Sequence, residues 1–291
     1  MGASGAAESS TAALKKYNAM FTFGDSVEET GNICAASSNK TELDVLTCTH
    51  PPYGQTYFGR PSCRWCDGRV VVDFIGCKGL LGKSLFMFGG YGGNDYNVQL
   101  LEVGLTPEQA MKHTPKIVNA IANGVEKLIA LGAVHIVVPG IFPTGCLPIF
   151  LSLFADAARK ADFDRTGCLK PYNRLTDYHN MLLRTQVEAL QRKHYNSTRL
   201  MYADYSGLMY RVVQEPEKFG FSAPLEACCG AGGGKYNFDV TARCGMKGVT
   251  VACDDPSARL SWDGIHPTEE LNKVIAGALL KGPYCTPPIL G

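Results

Sequence analysis

The hydrophobic residues of this chain fall into short continuous runs, separated by stretches in which apolar residues recur at helical spacing. Four runs predict buried strands, at residues 20–23, 84–88, 133–138 and 198–202. The first run leads directly into Gly24-Asp25-Ser26, and the second leads into a glycine-rich segment at residues 89–93. Continuous apolar runs are typical of strands that are covered on both faces.

Helix signals lie between and after these runs. Thr106-Pro107-Glu108 and Thr114-Pro115 predict two helix starts before the third strand, and Gly132 ends that pattern. Residues 172–194 predict the helix before the fourth strand, and Thr268 is placed to cap a final helix. Alternating strands and helices predict an α/β fold with a parallel sheet, which binds ligands at the carboxyl ends of its strands.

Composition and charge narrow the range of partners. The chain has 291 residues, 45% of them hydrophobic, and a formal net charge of +1. This balance gives no electrostatic reason to expect binding to nucleic acid or to an anionic membrane surface. No run approaches the roughly 20 apolar residues of a membrane span. With no repeat or linker, we expect a flexible segment at 1–18, one domain at 19–285 and a C-terminal tail at 286–291.

Twelve cysteines and two glycosylation sequons, Asn39-Lys40-Thr41 and Asn196-Ser197-Thr198, favour the secretory route. Residues 1–16, however, lack the apolar core of a secretory signal. Either the signal is absent from this chain, or the cysteines stay reduced in a cytosolic protein. We favour the first alternative, because cytosolic proteins rarely keep this many thiols.

The cysteine positions predict cross-links in the loop-rich parts of the chain. Cys228, Cys229, Cys244 and Cys253 are expected to staple the glycine-rich stretch within residues 219–261. Cys63-Arg64-Trp65-Cys66 has the spacing of redox and zinc motifs, but no second cysteine pair of that spacing or flanking histidine accompanies it. Disulfide pairing is therefore the favoured role for these two cysteines.

Three residues far apart in the chain have the chemistry of a hydrolytic triad. Ser26 follows a predicted strand, where a turn can present its hydroxyl, although no Gly-x-Ser-x-Gly elbow is present. Asp263 precedes His266 by three residues, and in a turn this spacing lets the carboxylate reach one ring nitrogen while the other faces the serine.

Several motifs together resemble the plant GDSL esterase/lipases of the SGNH hydrolase superfamily. These motifs are Phe23-Gly24-Asp25-Ser26, Gly31-Asn32, Gly92-Gly93-Asn94-Asp95-Tyr96 and Asp263-Gly264-Ile265-His266-Pro267. Intervening stretches such as Pro51-Pro52-Tyr53-Gly54 and Cys228-Cys229-Gly230 are also similar, and the resemblance covers residues 19–285.

The resemblance implies a flavodoxin-like three-layer αβα sandwich that hydrolyses esters of small molecules or carbohydrates, with small acyl or acetyl esters favoured. It implies Ser26 as nucleophile, His266 as base and Asp263 as the residue that orients the base. The Ser26 backbone amide and the Asn94 side chain would form the oxyanion hole. No metal or organic cofactor is implied.

The chain departs from the family between residues 74 and 84. Family members have a second strand and helix there, with a glycine that supplies another oxyanion amide, whereas here only residues 75–83 make the connection. We therefore expect a sheet that lacks the second edge strand. This departure leaves two hypotheses: an ester hydrolase, or a catalytically weak or inactive relative that binds a ligand or partner.

Overall fold

The computed structural model describes residues 17, 19–37, 39–75 and 83–291. The strands within these residues are β1 Ala19–Phe23, β2 Ser84–Phe88, β3 His135–Pro139, β4 Arg199–Ala203, β5 Ala223–Ala227, β6 Arg259–Ser261 and β7 Cys285–Thr286. The α-helices are α1 Asn32–Ala36, α2 Lys40–Asp44, α3 Val71–Ile75, α4 Gly93–Asn97, α5 Pro107–Ala110, α6 Thr114–Ala130, α7 Pro148–Phe154, α8 Lys170–Lys193, α9 Tyr205–Gln214 and α10 Glu269–Lys281.

The central sheet consists of the four predicted strands, in the order β1-β2-β3-β4, all parallel. The two-residue strand β7, which we did not predict, pairs antiparallel with the end of β4. Phe23 pairs with Phe88, and Pro139 pairs with Ala203. The carboxyl ends of the strands therefore meet along one edge of the sheet, where Ser26 follows β1.

Helices cover both faces of the sheet. On one face, α6 and α8 pack against alternate strand residues, Phe86 and Ile136 among them. On the other face, α3, α9 and α10 pack in a cluster with the neighbouring strand residues Leu85 and Val137. Because successive side chains of a strand point to opposite faces, the apolar runs supply both cores. The fold is the predicted three-layer αβα sandwich.

The strand β1 lies at the outer edge of the sheet in the part of the chain that the structure describes. The helix α3 ends at Ile75 and β2 begins at Ser84, and residues 76–82 of this short connection lie outside the described residues. Phe21 and Phe23 are 37% and 41% exposed, although their rings lie against those of Phe86 and Phe88. An apolar strand edge is therefore open to solvent within the described structure.

The predicted helices are present, and side chains cap the starts of two of them, α5 and α10. Thr106 and Gln109 form a reciprocal capping box at α5, and the Thr268 hydroxyl accepts a hydrogen bond from the Leu271 N–H at α10. The helices that we did not predict include α7 and α9, which complete the framework. The Asp204 carboxylate caps α9 by accepting a hydrogen bond from the Gly207 N–H at 2.8 Å.

Disulfides cross-link the loops. The bonds Cys228–Cys253 and Cys229–Cys244 confirm that these four cysteines staple the glycine-rich stretch. The other described disulfides are Cys34–Cys63 and Cys146–Cys168, and the described free cysteines are Cys48, Cys66 and Cys285, all of them buried.

The prediction that Cys66 forms a disulfide was wrong. Cys63 pairs with Cys34 of α1, whereas the Cys66 sulfur is buried beneath α10, 3.4 Å from the Asn272 side-chain nitrogen. Cys77 lies outside the described residues.

Both ends of the described chain meet at the amino-terminal edge of the sheet. Ile289, in the predicted tail, is fully buried, and its carbonyl accepts hydrogen bonds from the Tyr17 hydroxyl at 2.9 Å and from Arg199 Nη1 at 3.0 Å. Apart from Tyr17, the predicted flexible segment 1–18 lies outside the described residues. Of the helices in the described ranges, none combines the length and hydropathy of a membrane span.

Candidate active site

Ser26 lies in a tight turn at the carboxyl end of β1. The Glu28 N–H donates to the Asp25 carbonyl at 3.1 Å, and the Val27 N–H donates to the Asp25 carboxylate at 3.1 Å. Asp25 thus closes the turn with both its backbone and its side chain, as aspartate does in turns of this kind. The Ser26 hydroxyl is thereby held at the edge of the sheet.

Asp263 and His266 lie together in the turn that follows β6. The Asp263 Oδ1 atom accepts hydrogen bonds from the N–H groups of Ile265 at 3.0 Å and His266 at 2.9 Å. Gly264, between them, has a φ of +97°, and a Cβ there would lie 2.3 Å from the Phe238 ring. The turn therefore requires glycine at this position, and the carboxylate itself folds the turn around the imidazole.

The three predicted triad residues come together in a continuous hydrogen-bonded line. The Ser26 Oγ atom lies 2.7 Å from His266 Nε2, and His266 Nδ1 lies 2.7 Å from Asp263 Oδ2. The side chains of Asp263 and His266 are each about nine-tenths buried. This is the arrangement in which an imidazole can accept the serine proton while a carboxylate fixes its orientation.

The electrostatics of the site keep Asp263 ionised. Burial alone would raise the pKa of Asp263, but the His266 ring and the hydrogen bonds that the carboxylate accepts outweigh burial and hold the pKa below its usual value. Asp25 is different, because burial raises its pKa despite the hydrogen bond from Val27. The carboxylate that faces the imidazole therefore stays charged despite its burial.

Asn94 lies in the first turn of α4, which is set by the preceding glycines. Gly92 has a φ of +108°, and a Cβ there would lie 2.7 Å from the His179 ring. Asn94 lines the same cleft as Ser26, and its Oδ1 atom has a long contact of 3.5 Å with Asn97 Nδ2. The side-chain NH₂ of Asn94 remains suited to donate toward a developing oxyanion.

Two connected spaces meet at Ser26. An open cleft of about 510 Å³ contains Trp65, His266 and Asn97 in its walls. A much smaller pocket of about 60 Å³ extends on another side of Ser26, and most of its walls are apolar: Ile141, Phe142, Leu147, Phe150, Tyr205 and Ile265. The nucleophile therefore stands between a wide cleft and a narrow apolar pocket.

Two aromatic residues of the site were not identified by sequence reasoning. The Tyr53 hydroxyl donates to Asp263 Oδ2 at 2.7 Å, and the Trp65 ring lies beside the His266 ring. Tyr53 belongs to the Pro51-Pro52-Tyr53-Gly54 stretch that carries part of the family resemblance, which was the available signal. Trp65 lies within the Cys63-Arg64-Trp65-Cys66 motif, and no local pattern relates it to His266.

A larger cavity, about 710 Å³, lies elsewhere in the described structure, between α8 and the start of α9. Neither Ser26, Asn94, Asp263 nor His266 lines it. Its size does not make it the better candidate, because it contains no nucleophile paired with a base. Within the described ranges, no group of three or more His, Cys, Asp or Glu side chains is arranged to hold a metal ion.

Comparison with known families agrees with this geometry. The family model described as GDSL-like lipase/acylhydrolase matches residues 84–279, about two-thirds of the chain. The chain belongs to the GDSL lipase/acylhydrolase family. The matched region contains Asn94, Asp263 and His266 of this GDSL protein, and Ser26 precedes it.

Curated plant relatives extend the match over nearly the whole GDSL chain. A GDSL esterase/lipase of Arabidopsis thaliana is 32% identical over 353 residues, covering 96% of this chain and 88% of the relative. The sinapine esterase of Brassica napus is also 32% identical, over 360 residues, covering 96% of this chain and 89% of the relative. Both alignments are longer than the 291 residues of the chain, so the relatives contain residues that this chain lacks.

Proposed function

We propose that this GDSL protein hydrolyses carboxylic esters through an acyl-serine intermediate. The observation that carries the proposal is the unbroken line of two 2.7 Å contacts from Ser26 through His266 to Asp263. A serine hydroxyl becomes an effective nucleophile when a neighbouring base takes its proton and a third group orients that base. The chemistry is assigned to the predicted domain of residues 19–285.

The reaction follows from the positions of these groups. Ser26 Oγ attacks the ester carbonyl carbon while His266 Nε2 takes the serine proton, and Asp263 stabilises the resulting imidazolium. The Ser26 N–H and the Asn94 side chain donate to the oxyanion. Collapse of the intermediate releases the alcohol, which receives the proton from His266. Water then attacks the acyl-serine with His266 again as base, and the acid leaves.

The small pocket supports a short acyl group. Its volume of about 60 Å³ holds only a few heavy atoms, since one water needs roughly 10 to 15 Å³ on such a measure. The open cleft of about 510 Å³ leaves room for a much larger alcohol, such as a small metabolite or a sugar. We therefore propose acetyl and other short acyl esters as the substrate class.

A series of p-nitrophenyl esters from acetyl to dodecanoyl tests both parts of the proposal. We expect turnover of the acetyl and propionyl esters, a steep loss beyond butyryl, and no turnover by Ser26→Ala. A fluorophosphonate probe should label wild-type protein at Ser26 and should not label Ser26→Ala. Labelling at another residue would reject Ser26 as nucleophile, and equal turnover of long esters would reject the short acyl pocket.

The second candidate is a ligand-binding relative with little turnover. The observation that favours it is the exposed edge strand β1, together with the alignments that are longer than the chain. If this candidate is correct, wild type and Ser26→Ala will bind a short-chain ester equally well and neither will hydrolyse it.

We also propose that the protein is made through the secretory pathway. Four disulfides support this route, and so does the exposure of Asn39 and Asn196, the acceptor residues of the two sequons. Expression with an added secretion signal should give protein whose mass falls after removal of N-linked glycans. Replacing Asn39 and Asn196 with Gln should abolish that change in mass.

A further inference from the structure

Tyr53 makes a contact with the triad that the reaction described above does not use. Its hydroxyl donates to Asp263 Oδ2 at 2.7 Å, and this is the same oxygen atom that lies 2.7 Å from His266 Nδ1. The other carboxylate oxygen, Oδ1, accepts the two backbone N–H groups of Ile265 and His266. Four donors thus surround Asp263, and Tyr53 is the one that comes from a distant part of the chain.

The ring of Tyr53 is held rigidly. It is 2% exposed, and it packs edge-on against Trp262, with ring centroids 5.9 Å apart, and against Trp65 at 6.1 Å. Cys48 and the disulfide-bonded Cys228, Cys229 and Cys244 complete this cluster. The direction of the hydroxyl is therefore fixed by packing, before any contact with Asp263.

The phenol stays a donor over the whole working range of an enzyme. Burial and the neighbouring Asp263 charge raise the pKa of Tyr53 well above its usual value. A neutral phenol that donates to a carboxylate spreads part of the negative charge and lowers the basicity of that oxygen. Because the oxygen is shared, Tyr53 also controls how strongly Asp263 holds the proton on His266.

We propose that Tyr53 is a positioning residue of the triad. Its hydroxyl fixes the Asp263 carboxylate and weakens the hydrogen bond that Asp263 Oδ2 accepts from His266 Nδ1. The expected changes in kcat and in the pH profile rest on the proposed ester hydrolysis, whereas the contact between Tyr53 and Asp263 does not. The charged and titratable groups around the pair are Asp25 and Glu29 on the side of His266, Cys48 on the side of Asp263, and Arg243 in a small cavity lined by both.

The first test is Tyr53→Phe, which keeps the ring between the two tryptophans and removes only the hydroxyl. We expect kcat to fall roughly 10-fold, the loss typical of one hydrogen bond to a charged group, with KM changed less than about twofold. We also expect the acidic limb of the kcat/KM profile to move to higher pH, because an Asp263 with fewer donors holds the imidazolium proton more strongly.

The matched control is Tyr210→Phe. The Tyr210 hydroxyl donates to Asp164 Oδ2 at 2.9 Å, so this variant also loses a bond from tyrosine to aspartate, but outside the catalytic cleft. It should keep the wild-type kcat and pH profile. Unchanged kcat and an unchanged profile in Tyr53→Phe, or equal effects of the two variants, would overturn the proposal.

NMR of the His266 Nδ1 proton separates this proposal from the proposed function, because it requires no turnover. The resonance of this proton should lie further downfield in Tyr53→Phe than in wild type, since Asp263 Oδ2 then accepts only from His266, whether or not either protein hydrolyses esters. If Tyr53→Phe fails to fold, 3-fluorotyrosine at position 53 keeps the hydroxyl and makes it a stronger donor, and the resonance should then move upfield of the wild-type position. No change with either replacement would show that Tyr53 has only a packing role.

Discussion

The Trp65 ring covers one side of the His266 ring, with ring centroids 5.3 Å apart and planes inclined by 32°. Trp65 also packs edge-on against Tyr53, so one indole contacts both the imidazole and the tyrosine that holds Asp263. The loop that carries Trp65 is tied to α1 by the Cys34–Cys63 disulfide. The indole thus limits the orientations open to the base, and it also forms a wall of the cleft.

Trp65→Ala should lower kcat/KM for acetyl esters by roughly 3- to 10-fold, since an aromatic pair of this kind contributes about 0.5 to 1.5 kcal/mol beyond simple burial. The physical reason is the loss of the ring that holds the imidazole plane. Steady-state kinetics on p-nitrophenyl acetate give the measurement. Trp65→Phe is the control and should retain most of the activity, whereas full activity in Trp65→Ala would show that the neighbouring ring contributes nothing.

Glu28 should make the fold less stable as pH rises. Burial raises its pKa from 4.5 to about 8, and Asp25 adds to the rise, while Thr22 and Tyr205 donate to its carboxylate. The folded protein therefore keeps this proton after the unfolded chain has lost it. The contribution of Glu28 to stability is full below about pH 4.5 and declines until about pH 8.

Glu28→Gln removes this decline. We compare the free energies of unfolding of Glu28→Gln and wild type in urea at about pH 5, 7 and 9. The free energy of the variant relative to wild type should increase at each step, by roughly 3 to 5 kcal/mol in total, at about 1.4 kcal/mol per pKa unit. Glu188→Gln, an exposed partner of Arg184, is the control and should follow wild type. A constant difference between Glu28→Gln and wild type across this range would show that Glu28 does not titrate in the folded protein.

The Cys229–Cys244 disulfide should stabilise the fold and support the triad turn. Replacing both cysteines with alanine should cost about 2 to 4 kcal/mol of unfolding free energy. Turnover should fall as well, because the Cys229 N–H donates to the Trp262 carbonyl at 2.6 Å, directly before Asp263. The matched control replaces Cys146 and Cys168, whose disulfide lies outside that turn. Equal loss of turnover in both double variants would contradict a local effect.

The short connection between α3 and β2 should limit the rate. One absent oxyanion amide typically costs about 10² to 10³ in turnover, so we expect weak ester hydrolysis from the Ser26 and Asn94 donors alone. Inserting the strand, glycine and helix expected from the family resemblance after Phe74 should raise kcat. It should also reduce self-association through the β1 edge, measured by sedimentation velocity.

A glycine-serine insertion of the same length is the control and should change neither property. Turnover by the unmodified chain at the level of the Arabidopsis relative would show that another amide already fills the position of the missing glycine.

The sequence predicts the sheet better than it predicts the surroundings of the site. The four parallel strands are continuous apolar runs, and such a run can be recognised from the local sequence without knowing which residues pack against it. The helix α9 was missed because Gly207 in its first turn weakens the helical signal, while the cap from Asp204 is visible only in the structure. The pairing of Cys63 with Cys34, rather than Cys66, depends on how α1 folds back, and spacing does not contain that information.

The triad residues could be named from motifs, but their supports could not. Ser26, Asp263 and His266 each lie in a recognisable short motif. Tyr53 contacts Asp263 across 210 positions of the chain, and no local pattern relates the two. Residues that act through a partner distant in sequence become visible only when the fold brings them together.

The contact between Ser26 and His266 also spans the chain, because the two residues are 240 positions apart in sequence. A chain that emerges from the ribosome presents Ser26, the proposed nucleophile, long before His266, the proposed base, and a domain folds largely as a unit. A product truncated before His266 therefore has Ser26 without the proposed base. Reactivity of Ser26 toward a fluorophosphonate should then report completed folding of the whole polypeptide.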